Sequence, residues 1–274
     1  MRIKGTTAVV TGASSGLGRA VALWLARRGA NVAVVARREA ALGEVADEIR
    51  ALGRRALVLP TDVAEADQVA SAFETVAREL GAPDILVNAA GVGVWKAFDE
   101  ITDAEHRAMM DVNYWGAFHW IRRALPGMRD RGRGHIVNIS SASGKIGLSV
   151  TSGYSASKFA LTGLSESLHR ELLGTRVGVS CLHPGNIKTD FWNPESIPRQ
   201  GIPPLVRFAP KMSPEAVARS VGTCIRLGFP VRTLPVFVGF LTRANALWIR
   251  LGDLMLWKWF IPVLALTLAL LFIL

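Results

Sequence analysis

The chain has 274 residues, half of them hydrophobic, which is enough for one large α/β domain. Its two cysteines, Cys181 and Cys224, lie in apolar surroundings without CxxC or Cys/His spacing, and its five histidines form no HExxH or paired pattern, so a disulfide framework and a metal site are excluded. The net charge of +10 is uneven: residues 1–200 hold 24 Lys+Arg against 20 Asp+Glu and residues 201–274 hold 8 against 2, and no interleaving with aromatics suggests a nucleic-acid reader.

Apolar runs of strand length alternate with segments of helical period, the rhythm of parallel strands joined by helical crossovers. The sequence predicts strands at Ala8–Thr11, Asn31–Val35, Ala56–Leu59, Ile85–Asn88, His135–Ser140, Gly178–Leu182 and Leu234–Val238. Between the first of these lie GLGRAVALWLARRG, EAALGEVADEIRALG and DQVASAFETVARELG, each with Leu, Val and Ala at three- and four-residue intervals and a closing Gly. The expected fold is a doubly wound α/β sheet of about seven parallel strands followed by a C-terminal hydrophobic helix. Residues 190–212 break the rhythm with five prolines among aromatics and are expected to form an ordered, functional loop. The N-terminus runs straight into a strand and lacks the apolar core of a signal peptide, so the globular part is expected in the cytoplasm.

Three constellations carry chemistry. In TAVVTGASSGLGRAVALWLA a strand, a glycine-rich turn and a helix follow one another, and Gly12, Gly16 and Gly18 let the backbone approach a pyrophosphate that the helix N-terminus stabilises. After the second strand, where an NAD-binding turn would carry an acidic residue, stand Ala36, Arg37 and Arg38; two guanidiniums suit a ribose 2′-phosphate, and NADP(H) is expected over NAD(H). Tyr154 and Lys158 are four residues apart at the start of a helical stretch, so they share a face, and an ammonium near a phenol is expected to draw its pKa down from about 10. Ser141, just past a strand tip, could polarise a carbonyl held before the tyrosine.

Together these motifs resemble the short-chain dehydrogenase/reductase family in its compact single-domain subtype, over about residues 4–240. The T-G-x-x-x-G-x-G turn is matched from Thr11 through Gly18, which implies cofactor contacts from Gly12, Ser14, Ser15, Gly16, Leu17 and Gly18. Asp62 and Val63 match the pair beside the adenine, and NAAG, from Asn88 through Ala89 to Gly91, stands where the family has N-N-A-G, with a side-chain amide lost at Ala89. Pro184, Gly185, Ile187 and Thr189 are similar to the segment at the nicotinamide. The resemblance implies hydride transfer between the nicotinamide and a carbonyl or secondary alcohol. Tyr154 would be the acid or base, Ser141 would orient the oxygen, Lys158 would hold the ribose, and Asn113 would position a proton-carrying water. It also implies a homodimer or homotetramer. A dinucleotide-binding regulator without chemistry is the main alternative, although such a protein would be expected to lose one of Asn113, Ser141, Tyr154 or Lys158, and all four are present.

The tail, residues 241–274, is basic and then hydrophobic. Leu254 to Leu274 would span about 31 Å as a helix, close to a bilayer core, if Lys258 snorkels; Trp257 and Trp259 suit an interface, and Arg243 and Arg250 its cytoplasmic side. A membrane anchor is the leading expectation, with an oligomer contact and a flap over the protein's own pocket as alternatives. Phe191, Trp192, Ile197, Leu205 and Phe208 offer an apolar substrate surface.

Overall fold

The computed structural model describes residues 1–191, 211–236 and 238–239. The elements alternate strictly at first: β1 (Thr7–Thr11), α1 (Gly16–Arg27), β2 (Asn31–Ala36), α2 (Glu39–Ala51), β3 (Ala56–Pro60), α3 (Ala66–Glu79) and β4 (Ile85–Asn88). Helix α4 (Asp103–Met110) runs through a π-helical turn, Asp111–Trp115, into α5 (Gly116–Asp130); then come β5 (Gly134–Ile139), α6 (Ser152–Glu171), β6 (Val177–Pro184), α7 (Pro214–Leu227) and β7 (Val231–Leu234).

Among the described residues the seven strands form one parallel sheet in the order β3-β2-β1-β4-β5-β6-β7. Both faces are covered, which is why β1, β4 and β5 are buried throughout, including the polar Thr7, Thr11, His135 and Asn138. Alternate side chains divide between two cores. Val10, Val34 and Val87 pack with Val21 and Leu25 of α1, Leu42 and Ile49 of α2, and Val217 and Ile225 of α7. Val9, Val35, Leu86 and Ile136 pack with Val69 and Val76 of α3, Trp120 and Met128 of α5, and Leu168 of α6. The helices start and stop on local chemistry: Ser213 caps α7 by accepting from the Ala216 N–H at 3.2 Å, and Gly228 ends it at φ +72°.

The strand order reverses between β1 and β4. The loops leaving their carboxyl ends therefore diverge, and a crevice opens there.

The last strand differs from the sequence reading. It occupies Val231–Leu234 rather than Leu234–Val238, and its pairing with β6 ends at Pro184↔Leu234. Pro235 has no N–H to continue the ladder, whereas Val231 and Arg232 extend the pairing upstream. Among the described residues no helix is long and apolar enough to cross a membrane. The predicted C-terminal helix and most of the proline-rich loop lie outside the described residues.

Candidate active site

A cleft of about 700 Å³ lies at the carboxyl ends of the central strands. One wall is the turn between β1 and α1, from Gly12 through Ser14, Ser15, Gly16, Leu17 and Gly18. Gly12 has φ +66°, and a Cβ there would stand 2.8 Å from the Cα of Ala90; a Cβ on Gly18 would stand 2.2 Å from the carbonyl oxygen of Gly12. A side chain at Gly12 would push the β1 and β4 loops apart, and one at Gly18 would push α1 off the turn that follows β1. Thr11 holds those loops together, its Oγ1 accepting from the N–H groups of Ala89 and Ala90, both at 3.0 Å. The backbone at Ala89 is thus fixed without the side-chain amide that the family pattern would supply there. No side chain caps the first turn of α1, so its N–H groups and the positive end of the helix are left for an anion at Gly16 to Gly18.

At one end of the cleft Arg38 donates from Nη2 to Ser14 Oγ at 3.1 Å and to Ser15 Oγ at 2.8 Å, which pins its guanidinium beside the glycine turn. Arg37 leans on Asp62 with Nη1 3.8 Å from Oδ2, and Asp62 and Val63 line the same end. Two cations thus flank the mouth where the β2 loop meets the turn.

Ser141, Tyr154 and Lys158 gather at the other end. Ser141 follows β5 and opens a short 3₁₀ turn, Ala142–Gly144, accepting from the Ser143 N–H at 3.1 Å. The Tyr154 hydroxyl is hydrogen-bonded to Ser141. The four-residue spacing on α6 places Lys158 on the same face, its Nζ 5.8 Å from the centre of the Tyr154 ring and donating to the Ile139 carbonyl at 3.0 Å. The expected lowering of the tyrosine pKa is corrected here. Burial pushes Tyr154 up to about 12, only partly opposed by the Ser141 bond, and burial also brings Lys158 down to about 8. Lost hydration penalises the phenolate more than an ammonium across the ring, itself near neutrality, can stabilise it.

Asn88 and Asn113 stand behind the cleft wall rather than in it. Asn88 is buried and donates to Asn138 Oδ1 at 2.8 Å. Asn113 sits in the π-helical turn, where the extra backbone residue turns its amide inward. Its Oδ1 accepts from the Val92 N–H at 2.8 Å, and its Nδ2 donates to the Val92 carbonyl and to Ser157 Oγ, both at 2.9 Å. Both amide protons are spent, and only a carbonyl lone pair remains. A Cβ on Gly91 would lie 3.3 Å from Asn113 Oδ1 and 3.5 Å from Lys158 Nζ, so any side chain there would crowd both groups. Pro184, Gly185, Ile187 and Thr189 close the cleft from the β6 side, with the Thr189 side chain 3.1 Å from where a Cβ of Gly16 would be.

Several participants carry no signal in the sequence. Trp95 lies edge-on to Tyr154 at 4.9 Å between ring centres, with Phe191 at 5.9 Å from the tyrosine and 6.1 Å from Trp95. Phe191 was legible as an apolar residue of the substrate loop; Trp95 sits in an aperiodic loop. Ile146, Leu148 and Val238 add apolar lining. Ser140 Oγ donates to the Lys158 carbonyl at 3.1 Å, beside Thr162 Oγ1 at 2.8 Å, and ties the strand carrying Ser141 to the helix carrying Tyr154.

The short chain dehydrogenase family model matches residues 6–199. An uncharacterized oxidoreductase of Myxococcus xanthus is 40% identical over 192 residues, covering 70% of this chain and 76% of its own. Among solved structures, a short chain dehydrogenase/reductase from Burkholderia phymatum in complex with NAD superposes with a TM-score of 0.82 at 27% identity, covering 92% of this chain and 96% of that one. L-sorbose reductase from Gluconobacter frateurii, complexed with NADPH and L-sorbose, gives 0.76 at 28% identity over 85% of this chain and 96% of that one. The two solved relatives hold NAD and NADPH respectively. With its matched turn, its parallel sheet and its family model, this chain belongs to the short-chain dehydrogenase/reductase family, whose members are oxidoreductases acting on CH–OH or C=O groups with NAD(P).

Proposed function

We propose that the protein is an NADPH-dependent reductase of an apolar carbonyl compound held at a membrane. The observation that carries the cofactor half is Arg38, fixed on Ser14 and Ser15 beside the glycine turn with Arg37 next to it, where a 2′-phosphate would meet two guanidiniums and the strand ends in Ala36 rather than a carboxylate. The contacts assigned to Gly12, Ser14, Ser15, Gly16, Leu17, Gly18, Asp62, Val63, Asn88, Ala89, Gly91, Pro184, Gly185, Ile187 and Thr189 all belong to this reading.

When bound, the cofactor supplies the hydride. The chain's own groups handle the oxygen and the proton. Ser141 orients the substrate oxygen, and Tyr154, protonated throughout the neutral range with its pKa at about 12, gives its proton to the developing alkoxide. Lys158, charged below about pH 8, offsets the phenolate left behind. A solvent proton then returns to Tyr154 through Lys158 and a water that Asn113 would hold. A buried tyrosine that strongly holds its proton favours reduction over oxidation near neutral pH.

The apolar substrate rests on Trp95, Phe191, Ile146 and Leu148 around Tyr154. The membrane rests on the uncharged run from Trp259 to Leu274 and on the basic excess of residues 201–274. A second reading, a soluble substrate with the tail serving a homodimer or homotetramer, is favoured by the likeness to a reductase solved with L-sorbose. Cofactor oxidation by the full chain in liposomes, and by a chain ended after Gly252, with NADPH or NADH and ketones of increasing length, tests both. A full-chain advantage that grows with ketone length supports the first. Equal rates on short soluble ketones establish the second.

A further inference from the structure

Ser157 lies between Tyr154 and Lys158 on α6, completely buried, and does not line the cleft. Its hydroxyl donates to the Tyr154 carbonyl at 2.8 Å, which consumes its only proton. The remaining contact, with the Asn113 amide at 2.9 Å, must therefore be accepted by Ser157 and donated by Asn113 Nδ2. This polarity has a consequence for the amide. With Nδ2 held on Ser157 and the Val92 carbonyl, Oδ1 is left on the opposite side, where it accepts from the Val92 N–H and lies, like Lys158 Nζ, within 3.5 Å of where a Cβ of Gly91 would be. An inverted amide would set two acceptors against each other at Ser157 and again at the Val92 carbonyl, and two donors at the Val92 N–H.

We propose that Ser157 is a positioning residue: with the Val92 backbone it holds the orientation of Asn113 and the spacing between the π-helical turn and α6, so that the amide oxygen can hold the water of the proton path. The inference rests on the proton path proposed above. Per turnover Tyr154 gives one proton to the alkoxide and regains one from solvent, and Ser157 exchanges none. Without it, the buried Nδ2 loses an acceptor, the amide loosens, and reprotonation of Tyr154 slows.

The test is a double-mutant cycle on the full chain with NADPH and a ketone substrate, using Ser157→Ala, Asn113→Ala and both together. The expected result is about a tenfold fall in kcat for Ser157→Ala with the NADPH dissociation constant within about twofold, a larger solvent deuterium isotope effect on kcat, and no further loss when Ser157→Ala is added to Asn113→Ala. Ser157→Cys, which keeps the volume but accepts poorly, should behave like Ser157→Ala. Additive losses, an unchanged isotope effect, or wild-type rates in Ser157→Cys would overturn the proposal and leave Ser157 a packing residue. A separate control guards the underlying reading: if Tyr154→Phe turns over at the wild-type rate, the proton path itself is wrong and the inference falls with it, whereas an inactive Tyr154→Phe beside an additive cycle condemns Ser157 alone.

Discussion

Replacing Arg37 and Arg38 offers the sharpest check on cofactor choice. Arg38 is already held by Ser14 and Ser15 at 3.1 and 2.8 Å, so little side-chain entropy remains to be lost when it meets a phosphate, whereas Arg37, with 69% of its side chain exposed, is restrained only by Asp62 at 3.8 Å. A hydrogen bond to a charged group contributes about 1.5–3 kcal/mol, and solvent screening at this exposed mouth keeps each guanidinium near the lower figure. Since about 1.4 kcal/mol is tenfold, Arg38→Ala should raise the NADPH dissociation constant about tenfold, and the double variant by up to about a hundredfold. NADH, which has no 2′-phosphate, should bind within about twofold of wild type. Fluorescence titration of both nucleotides at low and high salt is the assay, and the NADPH advantage should shrink as salt rises. Equal losses for NADPH and NADH, or a double variant that binds NADPH as the parent does, would refute the argument and leave the two arginines as solvated residues ahead of α2.

Tyr154→Phe should abolish turnover and leave NADPH binding nearly intact, read by steady-state kinetics beside titration. Lys158→Met should do the reverse for stability. Burial brings the lysine from its ordinary 10.5 to about 8, so the fold carries a penalty for its charge at pH 7, and removing it should raise stability by about 1–3 kcal/mol. The sign follows from proton counting: between pH 8 and 10.5 the unfolded chain binds the extra proton, so the wild type gains stability as pH rises and the advantage of Lys158→Met disappears. A flat difference across that range in denaturant titrations would contradict the assignment. Gly144→Ala places a Cβ 2.3 Å from Ser140 Oγ and 2.7 Å from the Lys158 carbonyl, and should cost about 1–3 kcal/mol together with activity. Gly163→Ala, inside α6 with nothing within 4 Å, should instead stabilise by about 0.5–1 kcal/mol, as thermal melts of the two would show.

Much of this protein was legible from residue spacing. Continuous apolar strands, helices closed by glycine and the turn from Thr11 to Gly18 are local consequences of backbone sterics and burial, and the first six strands fall where the sequence places them to within two residues. The seventh was misplaced because Leu234–Val238 is as apolar as a strand should be, while only pairing with β6 reveals that the usable hydrogen bonds lie upstream of Pro235. Tyr154 and Lys158 could be put on one face from their spacing alone, since helical geometry is fixed by the chain. Their electrostatics could not: whether the ammonium or the lost water dominates at Tyr154 depends on burial, and burial is decided by what α4 and the Trp95 loop pack around the ring. The same distinction separates Arg38 from its neighbour, and Asn113 from a simple water ligand. Sequence determines which groups are available and which local conformations are open to them, whereas solvent exclusion and the partner of each hydroxyl and amide arise from segments far apart in the chain, and only the tertiary structure brings those together.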